Sequence, residues 1–194
     1  ILKGKVQFGG TNMFTRFLLG SQFAISLIAI VSAIGLIQNA RYQKSYDLCF
    51  DIRGTVLTWL SEPSEFETYH NALASNPKIE SIAGARSGIF SSRSRQPIKY
   101  MDQQTEVDLI EVGDQYLKTM NLTLVKGRDF QKDSKTDEKE SILVTEKLAT
   151  LFGWEEALGK EIIYQDSIKL YVVGVVKDVY NRGVWRELQP MMIR

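Results

Sequence analysis

The chain has 194 residues, with 24 basic and 23 acidic side chains, one histidine and one cysteine. A single thiol excludes an intrachain disulfide framework, and one His with one Cys cannot supply a zinc site. No Asp or Glu precedes Asp47, while Lys3, Lys5, Arg16, Arg41 and Lys44 do, so the remaining 19 bases against 23 acids leave residues 47–194 at −4. That mild acidity gives no electrostatic footprint for nucleic acid.

Residues 1–11 read as a short basic lead broken by Gly9-Gly10, with Thr11 or Asn12 placed to cap the start of a long helix. Residues 17–37 (FLLGSQFAISLIAIVSAIGLI) hold no charge across 21 positions. At about 1.5 Å per residue, such a helix matches the ~30 Å hydrocarbon core of a bilayer, and the stretch is predicted to be a transmembrane helix. It far exceeds the h-region of a signal peptide, about 7–15 residues. The bases before it fit a cytoplasmic flank; Arg41 and Lys44 beyond it oppose that orientation only weakly, because long translocated domains escape the rule. Gly20 with Ala24, and Ala29 with Ala33, permit close approach of another helix, across which Gln22 and Ser26 can bond. The helical pattern continues through Lys44, and Tyr42 and Tyr46 suit the membrane interface.

Beyond Asp47 the pattern shortens. Residues 55–60 (TVLTWL) are rich in β-formers and read as a first strand. Pro63 opens a helix over 64–75 with Phe66, Tyr69 and Leu73 in register, which Asn76-Pro77 stops. A strand within 79–89, a polar turn at 91–95 and a return at 98–101 read as a hairpin. Residues 106–112 (EVDLIEV) alternate like a half-buried strand. A short helix at 114–120 turns Tyr116, Leu117 and Met120 inward, and 131–140 is charged enough to be a solvated loop. Residues 141–145 form a strand, and 146–152 a helix stopped by Gly153. Strands at 161–165 and 170–176 flank an Asp166-Ser167 turn, and a loop over 178–186 leads to a last strand at Met191. The expected fold is α+β, a transmembrane helix followed by a mixed α/β extracytoplasmic domain with short helices on a mainly antiparallel sheet. The chain starts on Ile1 and ends in strand-like sequence, which reads as a segment of a longer polypeptide.

No stretch carries catalytic chemistry. Residues 153–161 (GWEEALGKE) place five residues between the glycines and Glu161 after Lys160, where a phosphate-binding loop needs four and then Ser or Thr. Cys49 and His70 belong to no nucleophile–base motif, and Cys49 reads as a small buried hydrophobe. Glu155-Glu156 and Asp137-Glu138 are sequence neighbours that splay apart on surface segments. Arg86, Arg93, Arg95 and Lys99 with Phe90 make a basic cluster that suits a partner protein or a solvated tip. The expectation is therefore a non-enzyme with no catalytic, cofactor-binding or metal-binding residues and no cofactor.

Four blocks in order resemble a known family. Arg16, Gln22-Phe23-Ala24-Ile25-Ser26, and Gln43 through Asp47-Leu48-Cys49-Phe50-Asp51 are similar to the first membrane helix and exit of MacB/FtsX/LolC-type ABC-transporter permeases. Asp114-Gln115-Tyr116-Leu117-Lys118-Thr119-Met120 with Leu124-Val125-Lys126-Gly127-Arg128-Asp129-Phe130 resembles that family's periplasmic core. So do Leu143-Val144-Thr145-Glu146 with Phe152-Gly153-Trp154 and Leu158-Gly159-Lys160, and Val172-Val173-Gly174-Val175-Val176-Lys177-Asp178-Val179. Two positions depart from it, Cys49 for the usual Gly and Thr145 for the usual Asn. The family's remaining periplasmic segment and three further membrane helices are absent, and Leu2-Lys3-Gly4 resembles the start of the second half of duplicated permeases in Bacteroidota.

The resemblance implies a cytoplasmic lead (1–13), a transmembrane helix with a periplasmic extension (14–46) and a periplasmic core domain truncated at its C-terminal end (47–194), in the bacterial inner membrane. It implies a cytoplasmic ABC ATPase subunit as partner, a homodimer or pseudo-dimer of permease halves, and a periplasmic partner protein. The implied mechanism is mechanical: ATP-driven movement of the membrane helices shifts the periplasmic domain to effect efflux, lipoprotein extraction or activation of a cell-wall hydrolase. The rival readings are a membrane-anchored domain that senses a small ligand and an anchored enzyme.

Overall fold

The computed structural model describes residues 12–51, 53–89 and 94–194. The Gly9-Gly10 break, most of the 91–95 turn, Phe90 and Arg93 lie outside the described residues. The chain divides into two compact units, Ile1–Tyr46 and Asp47–Arg194.

The first unit contains α1 (Met13–Ser45), 33 residues with no buried side chain, about 50 Å long at 1.5 Å per residue. A helix apolar all round belongs in a protein core or a membrane, and α1 is long and apolar enough to be a candidate membrane span. Asn12 holds the N-cap position in extended conformation without a side-chain capping bond. The Ser21 hydroxyl donates to the Phe17 carbonyl at 2.9 Å, which satisfies it without a partner helix. Lys44 lies in the last turn, where the helix dipole favours a cation. Tyr42 and Tyr46 meet edge to face at 6.2 Å.

In the second unit the described strands are β1 (Ala85–Ser87), β2 (Arg95–Tyr100), β3 (Gln103–Val112), β4 (Leu124–Gly127), β5 (Ser141–Thr145), β6 (Glu161–Tyr164), β7 (Ile168–Val176) and β8 (Met191–Ile193). The short helices are α2 (Glu65–Ala74), α3 (Tyr116–Thr119), α4 (Lys135–Glu140) and α5 (Glu146–Leu151). Six strands run in the order β3-β2-β6-β7-β5-β8, and β8 pairs back to β3, which closes the hydrogen-bonded circuit. β1 adds to β3 and β4 to β7. The β3–β8 and β5–β7 pairs are parallel and the rest antiparallel, so the sheet is mixed and mainly antiparallel. Closure leaves the six ring strands without a free edge along their paired lengths.

Side chains alternate between two cores. On β5, Ile142 and Val144 join one cluster with Val107, Leu109, Leu148, Leu170 and Met192, while Leu143 joins Ile110, Tyr116, Leu117, Met191 and Ile193 in the other. Burial on both faces explains why β8 and the Ile142–Leu143–Val144 centre of β5 are continuously apolar. The expected inward face of the 114–120 helix is present, with Tyr116, Leu117 and Met120 all buried. At the end of α5, Gly153 takes φ 66°, the left-handed conformation that suits glycine at a helix stop.

Several expectations are corrected. Residues 55–60 form no strand: they have no ladder partner among the described residues, and Val56 and Trp59 are 91% and 76% exposed. β-propensity describes a fit to a half-buried pleated surface, and among the described residues no strand pairs beside them to make one. The hairpin joins β2 to β3 through Met101 and Asp102, with Met101 at φ 51°, and β1 pairs with β3 instead of β2. Strand 106–112 is not half-buried, because Asp108 is enclosed together with Val107, Leu109 and Ile110. The 131–140 run is not all loop: Ser134 caps α4 by accepting the Asp137 N–H at 3.2 Å, and Asp137 is buried. Helix α2 has no fully buried residue; Phe66 lies half-buried across Gly84, while Tyr69 and Leu73 are exposed.

Candidate functional site

Residues 47–51, the first of the second unit, are fastened at two backbone points to the segments that follow β7 and α3. The Leu48 carbonyl accepts the Tyr180 N–H at 3.1 Å, and the Asp51 N–H donates to the Met120 carbonyl at 3.0 Å. Between these points Cys49 and Phe50 pack against the second core cluster. The Asp47 carboxylate accepts the Cys49 N–H at 2.8 Å, an Asx turn that places Cys49 at φ 63°. That conformation is one glycine adopts freely, which gives a physical reason for the usual residue there. Burial, and then the Asp47 charge, push the Cys49 thiol up from its ordinary range.

The loop that receives Leu48 is held at both ends by Asp108 of β3. Its carboxylate, 0% exposed, takes Arg182 Nη2 at 2.5 Å, Arg182 Nε at 3.1 Å and Asn181 Nδ2 at 3.3 Å. The Asp108 N–H donates to the Pro190 carbonyl at 2.9 Å. Arg95 of β2 adds a second guanidinium 3.9 Å from the carboxylate and also donates to Gln189. A buried carboxylate is tolerated only with such pairing, and the forked guanidinium matches it with two bonds. The loop apex turns at Gly183, φ 85°, and exposes Trp185 and Arg186.

Two further acids brace the ring. Asp137 accepts Arg128 at 2.6 and 2.8 Å, the Gln131 N–H at 2.7 Å and the Ser141 hydroxyl at 2.7 Å. Arg128 foremost, helped by those two donors, holds the Asp137 carboxyl well below the usual range. Asp178 accepts the Lys147 N–H at 2.7 Å in the first turn of α5, while burial pushes its carboxyl up. Thr145 uses its hydroxyl to accept the Met191 N–H at 3.1 Å, tying β5 to β8.

The residues weighed for chemistry do not converge. Cys49 lies in the 47–51 fastening and His70 against Phe66 on α2, with ring centroids 5.8 Å apart. Glu155 and Glu156 are exposed as expected, whereas Asp137 is buried and paired with Arg128 because α4 turns it toward β5. Gly159 is a turn residue at φ 74° whose N–H reaches the Val172 carbonyl at 2.8 Å. Arg86 pairs with Glu111 at 3.8 Å, and Arg95 with Glu106 and Asp108, so the basic cluster is divided and partly neutralised. No group of three or more metal-ligating side chains occurs among the described residues. A cleft of about 250 Å³ lined by Arg95, Arg182, Arg186, Glu187 and Gln189 adjoins one of about 440 Å³ that includes Glu106 and Lys147. Both are open and polar, unlike the enclosed apolar pockets that take small ligands. Asp108 and Arg182 were missed by reading the sequence; the available signal was a lone acid inside the apolar run VDLI.

The chain is similar to the macrolide export ATP-binding/permease protein MacB of Bartonella henselae, 32% identical over 115 residues, which is 58% of this chain and 17% of that protein. The corresponding MacB of Sodalis glossinidius is 24% identical over 157 residues, 77% of this chain and 24% of that protein. The chain thus spans less than a quarter of the length of these curated relatives. Among solved structures, the extracellular domain of the noncanonic ABC-type transporter YknZ from Gram-positive bacteria superposes with a TM-score of 0.49 at 19% identity, covering 66% of this chain and 60% of that one. The periplasmic region of MacB from Actinobacillus actinomycetemcomitans gives 0.48 at 19% identity, covering 63% and 60%. The family model of the MacB-like periplasmic core domain matches residues 23–191, most of the chain, and the chain belongs to that family.

Proposed function

We propose that this chain is a segment of an ABC-transporter permease subunit in the bacterial inner membrane, with residues 47–194 in the periplasm. The segment performs no catalysis of its own; it conveys movement driven by a cytoplasmic ATPase subunit to periplasmic work such as efflux, lipoprotein extraction or hydrolase activation. The observation that carries this reading is the junction: α1 is helical to Ser45, and Leu48, Phe50 and Asp51 are already bonded or packed into the second unit. No Gly/Ser-rich linker intervenes to absorb a displacement. The named function of the MacB relatives makes efflux the first of these tasks to examine. Permease halves pair as a homodimer or pseudo-dimer in this reading, and a periplasmic protein receives the movement.

The test is co-purification of the full-length permease, solubilised from its native membrane, with an ATPase subunit that binds ATP. Stable association is expected. A permease that associates with no nucleotide-binding protein would overturn the reading. The small-ligand alternative receives no support from the clefts, which are open and polar.

A further inference from the structure

We infer that the Asp108–Arg182 pair is a positioning latch for the junction: it holds the 180–190 loop so that the Tyr180 N–H meets the Leu48 carbonyl. Its consequence for transport rests on the mechanical reading above; its structural content does not.

Asp108 is fixed in the ring by its register with Arg95 on β2 and Met191 on β8. Its carboxylate draws Asn181 and Arg182, the two residues immediately after Tyr180. Val179, immediately before Tyr180, is buried in the second core cluster. Tyr180 is therefore held on both sides, by apolar packing before it and by the ion pair after it. The Gly183 N–H returns to the Tyr180 carbonyl at 3.1 Å, so the turn that presents Arg182 to Asp108 begins at Tyr180, the residue whose N–H meets Leu48. At the other end, Pro190 and Gln189 are tied to Asp108 and Arg95. The loop cannot slide along β3 without breaking these bonds, and Leu48 bonds to the N–H of the residue at which the turn begins.

The cleft beside the pair does not call for a bound anion. Arg95 pairs with Glu106 and Asp108, and Arg182 with Asp108. The guanidiniums serve the protein's own carboxylates. Arginine is the suitable residue because its fork makes two parallel bonds to Asp108, which lysine cannot reproduce.

The test is hydrogen–deuterium exchange on the full-length permease, comparing wild type with Asp108→Asn and Arg182→Lys. Asp108→Asn is nearly isosteric and removes the buried charge, whereas Arg182→Ala would strand an unpaired carboxylate and risk unfolding. In Asp108→Asn, the Tyr180 amide is expected to exchange faster by about tenfold or more, since local opening free energies set local exchange. The amides of Ile142, Leu143 and Val144 on β5 should keep their wild-type protection. Arg182→Lys, which keeps the charge but not the fork, should fall between. Wild-type protection of Tyr180 in Asp108→Asn would overturn the latch. An equal loss of protection at Tyr180 and across β5 would also overturn it, because the pair would then be a general stability element. Transport measured on the same variants separates the two readings. Faster Tyr180 exchange with unaltered transport supports the latch and refutes the mechanical coupling; unaltered exchange refutes the latch whatever transport does.

Discussion

Replacing Arg128 by Ala removes the guanidinium that makes two bonds to Asp137 and leaves that carboxylate with the Gln131 N–H and the Ser141 hydroxyl. Breaking a buried pair from one side costs about 3–5 kcal/mol. Here the side chains are 43% and 3% exposed, so water screens the arginine, and about 2–3 kcal/mol is the expected loss. The loss depends on pH with a definite sign. Arg128 depresses the Asp137 carboxyl in the folded state, so its stabilisation is complete above the unfolded-state value near 3.9. It disappears as pH falls through the lower folded-state value. The gap in stability between wild type and Arg128→Ala should be full at neutral pH and shrink on acidification below about pH 4. Denaturant unfolding of the detergent-solubilised chain across that range, followed by tryptophan fluorescence, measures it. A variant as stable as wild type at neutral pH, or a gap that stays constant into acid, would refute the reasoning.

Other substitutions are set by burial and geometry. Leu148→Ala empties a fully buried site in the first core cluster and should cost about 2–5 kcal/mol, read as a lowered denaturation midpoint with unchanged slope. Gly174→Ala would bring a methyl within 2.5 Å of the Arg128 carbonyl and 2.7 Å of Leu143 Cδ2; because backbone must move, a loss of at least about 1–3 kcal/mol is expected in the same assay. Cys49, with its thiol pushed up by burial and Asp47, should react with iodoacetamide more slowly than an exposed peptide thiol at pH 7, the rate rising as pH climbs through 9 and above. Equal rates at pH 7 would contradict that environment.

Local pattern made α1, α2, α3, α5 and the ring's most apolar strands legible, whereas the charged α4 read as loop. The uncharged 17–37 run could be little else, and Tyr116, Leu117 and Met120 turned inward as their spacing required. What escaped depends on distant residues. Closure of the ring pairs Leu109 with Met192, and nothing within either strand announces its partner. Residues 55–60 have a strand's composition but no pairing neighbour among the described residues. Asp108 and Asp137 read as surface acids because their arginines lie 74 and 9 residues away in sequence, and only the fold shows that the charges are matched. Cys49 is legible in hindsight: an Asx turn at Asp47 leaves the residue two positions on in a left-handed conformation.

The central proposal is that the junction after α1 transmits displacement to the second unit. Inserting a short Gly/Ser segment after Lys44 in the full-length permease breaks the continuity between α1 and residues 47–51 while leaving both units intact. ATP-driven transport and association with the ATPase subunit, measured together, test the claim most directly. Transport should be lost while association and ATP binding persist; transport at the wild-type rate with the insertion in place would contradict the account.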